Sequence, residues 1–190
     1  MIDRRKMLGA CLAGLGLGAC GGQTSELSAL GRGIDDVLLT SSGGEDLAWR
    51  SLRGRPRALF FGFTHCPEIC PVTIYELTAS AERLGPPGAA LRIDFVTVDP
   101  ERDTPERMAS YFSGFGPNVT GFTGSEAALG RLRAAFDITA TRTPLASGDY
   151  TMDHTATVFL LDRGAIVRDV IAYGSTQTLI DERLGSVIGA

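Results

Sequence analysis

The sequence predicts a mixed α/β domain in which helices cover a central sheet. A short apolar run at 57–63 and an alternating segment at 91–98 flank a stretch, 71–84, with apolar residues at helical spacing. Strand, helix and strand in that order imply a right-handed parallel crossover. With 190 residues, the chain is long enough for one such domain with a sizeable core, so we expect a single domain.

The other segments add elements to this sheet. Segments 37–40 and 47–52, separated by a Ser-Ser-Gly-Gly turn, predict an N-terminal hairpin. A second helix should begin at Thr104 and Pro105, because Thr is a good N-cap and Pro fits the first helical position. The remaining predictions are a helix at 126–136, a hairpin of strands 156–161 and 165–171, and a closing helix at 177–188.

The first twenty residues predict an export signal. Arg4 and Arg5 begin a short basic segment, and the apolar run that follows, 7–19, is shorter than the roughly 20 residues of a membrane-spanning helix. The arginine pair also fits a twin-arginine signal. The sequence LGAC, ending at Cys20, is similar to a bacterial lipobox, whose Cys carries the lipid. We therefore expect an exported protein, lipid-anchored at Cys20 on the periplasmic side of the envelope; an ordinary secretory signal is the alternative.

Processing at Cys20 would leave a small, polar segment, 21–33, as a flexible tether for a folded domain at 34–190. The formal charge would change from −4 to −6, which does not favour binding to nucleic acid or to anionic lipid. Lys6, the only lysine, would leave with the signal, which excludes lysine Schiff-base chemistry.

Removal of the signal and lipidation of Cys20 leave two cysteines, Cys66 and Cys70, in the sequence FTHCPEICP. Cys66 should lie at a helix N-terminus, where the partial positive charge favours a thiolate, and Cys70 should share its face. A disulfide here would close a very small loop and remove little entropy from the unfolded chain. A thiol oxidoreductase usually has two residues between its cysteines rather than three. A metal site would need a third ligand.

His154 is the candidate for that ligand, because it directly precedes the strand at 156–161 and a sheet brings neighbouring strand ends together. A single His at a strand start is more often a packing or surface residue. Two Cys and one His suit Cu(I), or Cu(II) with a weak fourth ligand, whereas zinc usually has four ligands. His65, adjacent to Cys66, should point elsewhere and is left out of the site.

Three segments together resemble the Sco/SenC family of membrane-tethered copper-binding proteins with a thioredoxin-like fold. They are FGFTHCPEICP at 61–71, VTVDPERDTP at 96–105 and DYTMDHTATVFL at 149–160. The resemblance implies that Cys66, Cys70 and His154 bind copper. It also implies a role in delivering copper to the binuclear copper site of a respiratory oxidase, with the oxidase's copper-site subunit or another copper chaperone as partner.

Other functions stay open at this point. A thiol-disulfide reductase that keeps the oxidase cysteines reduced needs Cys66 and Cys70 but not His154, whereas a copper or redox sensor keeps all three residues. A peroxiredoxin-type peroxidase fits less well, because Thr64 stands two residues before Cys66 rather than three. Thr155 occupies a position where the family commonly has Ser.

Asp99 and Asp103 lie in the second of these segments and allow two interpretations. Asp99 follows a strand at its carboxyl end, where sites in α/β sheets commonly lie, so it could reach the metal. The simpler interpretation is structural: Asp99 begins a turn, and Asp103 or Thr104 caps the next helix. We favour the structural interpretation.

Overall fold

The computed structural model describes residues 26–189, which form a sheet between two layers of helices. In chain order the elements are β1 (Leu38–Ser41), β2 (Asp46–Ala48), β3 (Arg57–Gly62), α1 (Ile69–Arg83), β4 (Arg92–Thr97), α2 (Pro105–Phe112), β5 (Val119–Thr123), α3 (Glu126–Ala135), β6 (Ala140–Pro144), β7 (Tyr150–His154), β8 (Thr157–Leu161), β9 (Val167–Ala172) and α4 (Gln177–Ile188). The main sheet has the strand order β2-β1-β5-β4-β3-β8-β9, and β6 pairs with β7 alone.

Strand β3 lies inside the main sheet, and all six of its residues are buried. It runs parallel to β4, with Phe60 opposite Phe95, and antiparallel to β8, with Phe60 opposite Val158. A continuous apolar run is typical of a strand buried on both faces. The predicted parallel crossover from β3 through α1 to β4 and the predicted hairpin of β8 and β9 are both confirmed.

The two faces of the sheet bury separate apolar cores. Leu59 and Phe61 of β3 belong to one core, which α3 covers, whereas Ala58 and Phe60 point to the other. Side chains of α1, α2 and α4 form that second core. Helices α1 and α4 are also joined by the Asp181 carboxylate, which accepts a hydrogen bond from the Ser80 hydroxyl at 2.5 Å. The predicted mixed sheet flanked by helices is confirmed.

Several boundaries differ from the sequence prediction. The predicted strand at 47–52 ends at Ala48, and Trp49–Leu52 form a 3₁₀ turn. Strands β5, β6 and β7 were not predicted. The segment of β5 contains a central Gly, which is unusual in a strand. Strands β6 and β7 are mostly polar and exposed or half-buried, so they lack the alternation that marks a strand packed on a core.

The predicted tether needs correction at its C-terminal end. Leu27 and Leu30 pack against the core that α3 covers, and the Gly31 N–H donates to the Ala135 carbonyl at 2.8 Å. The sequence prediction missed this contact because the segment is mostly small and polar, with few apolar residues besides these two leucines. The predicted export signal and Cys20 lie outside the described residues. No helix within 26–189 has the length and apolar character needed to cross a membrane.

Substitution of Gly31 tests whether this segment docks on the domain. Gly31 has a φ of +70°, and a Cβ there would lie 2.6 Å from Cζ of Phe136; Gly33 has a φ of +73° and open space around it. Gly33→Ala should therefore lower the free energy of unfolding by about 1–2 kcal/mol, the cost of a side chain in a left-handed backbone conformation. Gly31→Ala should cost about 1–3 kcal/mol more, because it overpacks the contact with Phe136.

Urea unfolding of both variants and of the wild type gives the comparison as free energies of unfolding. Equal losses in the two variants would show that residues 27–31 do not dock against Phe136.

Candidate metal centre

Cys66 lies in the turn that connects β3 to α1. Its N–H donates to the Phe63 carbonyl at 3.2 Å, and its Sγ accepts from the Cys70 N–H at 3.5 Å. The first N–H groups of a helix have no partner within the helix and carry a partial positive charge. The Cys66 sulfur therefore takes the place of an N-cap acceptor, in agreement with its predicted position at a helix N-terminus.

Cys70 is the second residue of α1 and is completely buried, with 0% of its surface exposed. Its Sγ lies under β3 at Gly62, where a Cβ would come within 2.9 Å of the sulfur. A side chain at position 62 would therefore occupy the space of the thiol. Both cysteines are free, with Cys66 partly exposed and Cys70 buried.

The two thiols have opposite acidities. The Cys70 thiol donates a hydrogen bond to the Cys66 sulfur, and this bond, helped by the backbone N–H groups of residues 68–70, lowers the pKa of Cys66 to about 5. The same bond and burial raise the pKa of Cys70 far above its ordinary value. At neutral pH the pair therefore consists of a partly exposed thiolate at Cys66 and a buried thiol at Cys70.

His154 is the last residue of β7 and is half-buried. Its ring meets those of Phe63 and Phe60 edge-on, with centroid distances of 5.8 and 6.3 Å. Its Nδ1 lies 3.0 Å from the Thr155 carbonyl oxygen. Because a carbonyl only accepts hydrogen bonds, Nδ1 carries the proton and Nε2 presents its lone pair. A backbone carbonyl that fixes the tautomer in this way is usual for a metal-binding His.

Phe63 connects the cysteine pair to this imidazole. Its carbonyl accepts from Cys66, and its ring contacts that of His154. The three predicted ligands thus belong to one region, but they are not assembled: among residues 26–189, no group of three His, Cys, Asp or Glu side chains is arranged to hold a metal ion. His65 faces another way, because its Nε2 accepts from Arg107 Nη2 at 2.9 Å.

Asp103 has a role that the sequence analysis missed. Its side chain is completely buried and accepts from the Thr64 N–H at 3.1 Å, the Thr64 hydroxyl at 2.6 Å and the Thr97 hydroxyl at 2.7 Å. Thr104, not Asp103, caps α2, since its hydroxyl accepts from the Arg107 N–H. The only sequence signal was the presence of two threonines able to donate to a carboxylate, which is too common to be diagnostic.

Asp99 begins the turn that the structural interpretation predicted. Its carbonyl accepts from the N–H groups of Arg102 and Asp103, at 3.2 and 3.0 Å. Its carboxylate accepts from the Tyr150 hydroxyl at 2.8 Å and from the Arg102 guanidinium. Asp99 therefore bonds to the strand that carries His154.

Comparison with known proteins places the chain in a family. A family model described as SCO1/SenC matches residues 34–189. The chain belongs to the SCO1/SenC family. It is 34% identical over 159 residues to the mitochondrial SCO2 homolog of Danio rerio, covering 82% of this chain and 56% of that protein. It is 32% identical over 185 residues to the bovine (Bos taurus) counterpart, covering 87% of this chain and 68% of that protein.

A solved SCO1/SenC relative shares the fold. The structure of Bradyrhizobium japonicum ScoI with copper bound superposes with a TM-score of 0.72 at 34% identity, covering 80% of this chain and 96% of that one. The predicted thioredoxin-like architecture is thereby confirmed.

The low pKa of Cys66 predicts an unusual pH profile for alkylation. Because the thiolate is the reactive form, the rate at which reduced Cys66 reacts with iodoacetamide should rise with pH around a midpoint near 5 and then stay flat. In Cys70→Ala, which lacks the donor thiol, the midpoint should move up towards the ordinary thiol value. A wild-type midpoint between pH 8 and 9, the range of an ordinary thiol, would contradict the inferred bond between the two sulfurs.

Gly62→Ala tests the close approach of Cys70 to β3. The added methyl would lie 2.9 Å from Cys70 Sγ and 2.7 Å from Phe95 Cε2, so we expect a loss of about 1–3 kcal/mol in the free energy of unfolding. Gly114→Ala is the control, since a Cβ there meets no atom within 4 Å. Unfolding free energies that match between the two variants would show that the thiol is not packed against Gly62.

Proposed function

We propose that this protein binds copper through Cys66, Cys70 and His154 and delivers it to the binuclear copper site of a respiratory oxidase during assembly. The observation that carries the proposal is the partly exposed Cys66 sulfur next to the buried Cys70 at the start of α1, beside an imidazole whose Nδ1 faces a carbonyl and leaves Nε2 available. A 34%-identical relative, ScoI of B. japonicum, has been solved with copper bound.

The donor set fits copper in its chemistry. Thiolate sulfur and imidazole nitrogen are ligands that Cu(I) accepts in a low-coordinate site, and a weak fourth ligand would suit Cu(II). The lowered pKa of Cys66 favours its thiolate at neutral pH, whereas Cys70, whose pKa is raised, must give up a proton to bind. Copper binding should therefore release about one proton at neutral pH, and affinity should fall in acid.

The arrangement also suits a carrier. Cys66 is partly exposed, and a partner's cysteines can approach it and displace the protein's ligands one at a time. In the proposed setting, residues 1–20 export the chain and Cys20 holds it by a lipid on the periplasmic side of the envelope. A disulfide between Cys66 and Cys70 would prevent copper binding, so the redox state would control loading.

A thiol-disulfide reductase is the second candidate, and the asymmetry of the thiols favours it. A partly exposed thiolate next to a buried thiol is the arrangement of an attacking and a resolving cysteine. Such a reductase would keep the copper-site cysteines of the oxidase reduced. It does not need His154, and this difference separates the two candidates.

A competition titration with Cu(I) tests the proposal. The chain lacking residues 1–20 is reduced and titrated without oxygen in the presence of a Cu(I) chelator. We expect the wild type to bind one equivalent and Cys66→Ser and Cys70→Ser to lose competitive binding. His154→Ala should bind at least about 10-fold more weakly, which corresponds to about 1.4 kcal/mol.

His65→Ala is the matched control and should keep the wild-type affinity, because His65 faces Arg107. Unchanged copper affinity in His154→Ala would remove His154 from the ligand set. A wild type that fails to compete for copper but reduces a disulfide substrate would make the reductase the correct function.

A further inference from the structure

The turn at residues 99–103, between β4 and α2, touches both halves of the candidate copper site. One half is the loop from Phe63 to Cys66, and the other is the hairpin of β6 and β7, which ends at His154. The three ligands are not assembled, so the distance between the two halves is set by the contacts that hold each half in place. Side chains of this turn contact both halves.

Asp103 holds the cysteine half. Its buried carboxylate receives two hydrogen bonds from Thr64, two residues before Cys66, and a third from Thr97 at the end of β4. A buried carboxylate is costly unless hydrogen-bonded, and these three donors offset that cost. The loop is thereby tied to β4 independently of its own connection to β3.

Asp99 and Arg102 hold the histidine half through Tyr150, the first residue of β7. The Tyr150 hydroxyl donates to Asp99 at 2.8 Å, and Arg102 Nη1 donates to the Tyr150 carbonyl at 3.0 Å. The Arg102 guanidinium also stacks on the Tyr150 ring at 3.6 Å, and Arg142 of β6 stacks on it at 3.5 Å. The hairpin pairs with no strand of the main sheet, so these contacts add a specific polar attachment to the packing of Ala140 and Met152 on the core.

Arg102 spans the gap between the two halves. Its guanidinium lies 5.9 Å from the centroid of Phe63 on the cysteine side and stacks on Tyr150 on the histidine side. Its side chain is largely buried and is fixed by Asp99. Arg102 therefore packs against both halves, whereas their hydrogen bonds go to two different carboxylates, Asp103 for the cysteine half and Asp99 for the histidine half.

We propose that the turn at residues 99–103 positions the two halves of the copper site independently: Asp103 fixes the cysteine loop through Thr64, and Asp99 and Arg102 fix the His154 strand through Tyr150. These are positioning residues, since none is a proposed ligand. The inference rests on the proposed copper site. Its two parts, the histidine arm (Asp99, Arg102 and Tyr150) and the cysteine arm (Asp103 and Thr64), each have a consequence that can be measured without copper.

The histidine arm is tested with Tyr150→Phe, which removes the hydroxyl that donates to Asp99 and keeps the ring between the two arginines. We expect Cu(I) affinity to fall by roughly 10-fold, as for other groups that orient a ligand. Tyr173→Phe, at an exposed tyrosine, is the matched control and should keep wild-type affinity. Without copper, the NMR signals of the His154 imidazole should shift in Tyr150→Phe and not in Tyr173→Phe.

A double-mutant cycle shows whether Tyr150 acts through His154. Once His154→Ala has removed the ligand, adding Tyr150→Phe should cost no further copper affinity, because the two losses belong to one interaction. A further loss of the same size in that background would mean that Tyr150 supports the whole domain rather than His154, and would overturn this arm.

The cysteine arm is tested with Asp103→Asn and, in case that variant unfolds, with Thr64→Ala, which deletes the 2.6 Å bond alone. A loosened loop should expose Cys66, so its alkylation by iodoacetamide at pH 8 should become about 3-fold faster or more. The His154 signals should shift less than in Tyr150→Phe, because the loop meets the imidazole only through the Phe63 ring. Asp46→Asn, at an exposed Asp that accepts from Thr40, is the control and should alkylate at the wild-type rate.

The two arms give a crossed pattern, which is the decisive result. Tyr150→Phe should alter His154 and leave Cys66 alkylation unchanged, whereas Thr64→Ala should accelerate Cys66 alkylation and alter His154 less. If each variant alters both readouts equally, the turn does not position the halves independently. A wild type that binds no copper would refute the proposed function, yet the alkylation and NMR results would still support or overturn the positioning.

Discussion

The pairing of a buried Cys70 thiol with a partly exposed Cys66 sulfur is the interaction on which the rest of the site depends. It requires Cys70 to lie buried under β3, which is possible because Gly62 leaves the space that a side chain would fill. It also requires Cys66 to face the open end of α1, where backbone N–H groups favour a negative sulfur. Packing therefore decides which thiol is charged.

Topology explains why the contacts around this pair converge. Strands β3 and β4 are parallel neighbours, so the cysteine loop and the turn at 99–103 leave the same edge of the sheet. The Val98 N–H donates to the Gly62 carbonyl at 2.8 Å, which keeps the two strands paired up to that edge. Strand β8 is antiparallel to β3, so its starting end, just after His154, reaches the same edge.

The sequence predicted the parts of this arrangement that repeat a pattern. An apolar run predicted strand β3, and apolar residues at helical spacing predicted helix α1. The spacing of the two cysteines indicated that they lie together at the start of that helix. The β6–β7 hairpin was not predictable in this way, because its strands are mostly polar, and Tyr150 between two arginines adds to the packing of Ala140 and Met152 on the core. The local pattern allowed either Asp103 or Thr104 as the helix cap, and Thr104 is the cap, whereas the partner of Asp103, Thr64, is 39 residues away.

A site whose ligands are supported in two separate pieces has a consequence for copper transfer. In the proposed site, the Cys70 proton is held in a hydrogen bond to Cys66, and copper would have to displace that proton before both sulfurs could bind. The interaction between the Cys70 thiol and the Cys66 sulfur thus stabilises the metal-free state, which would otherwise hold two neighbouring thiolates without a metal ion. For the proposed carrier, this stabilisation would lower the affinity for copper, so a partner with preorganised ligands would have less affinity to overcome. In our proposal, the turn at 99–103 limits how far the two pieces separate, so that the copper-free site could be loaded again.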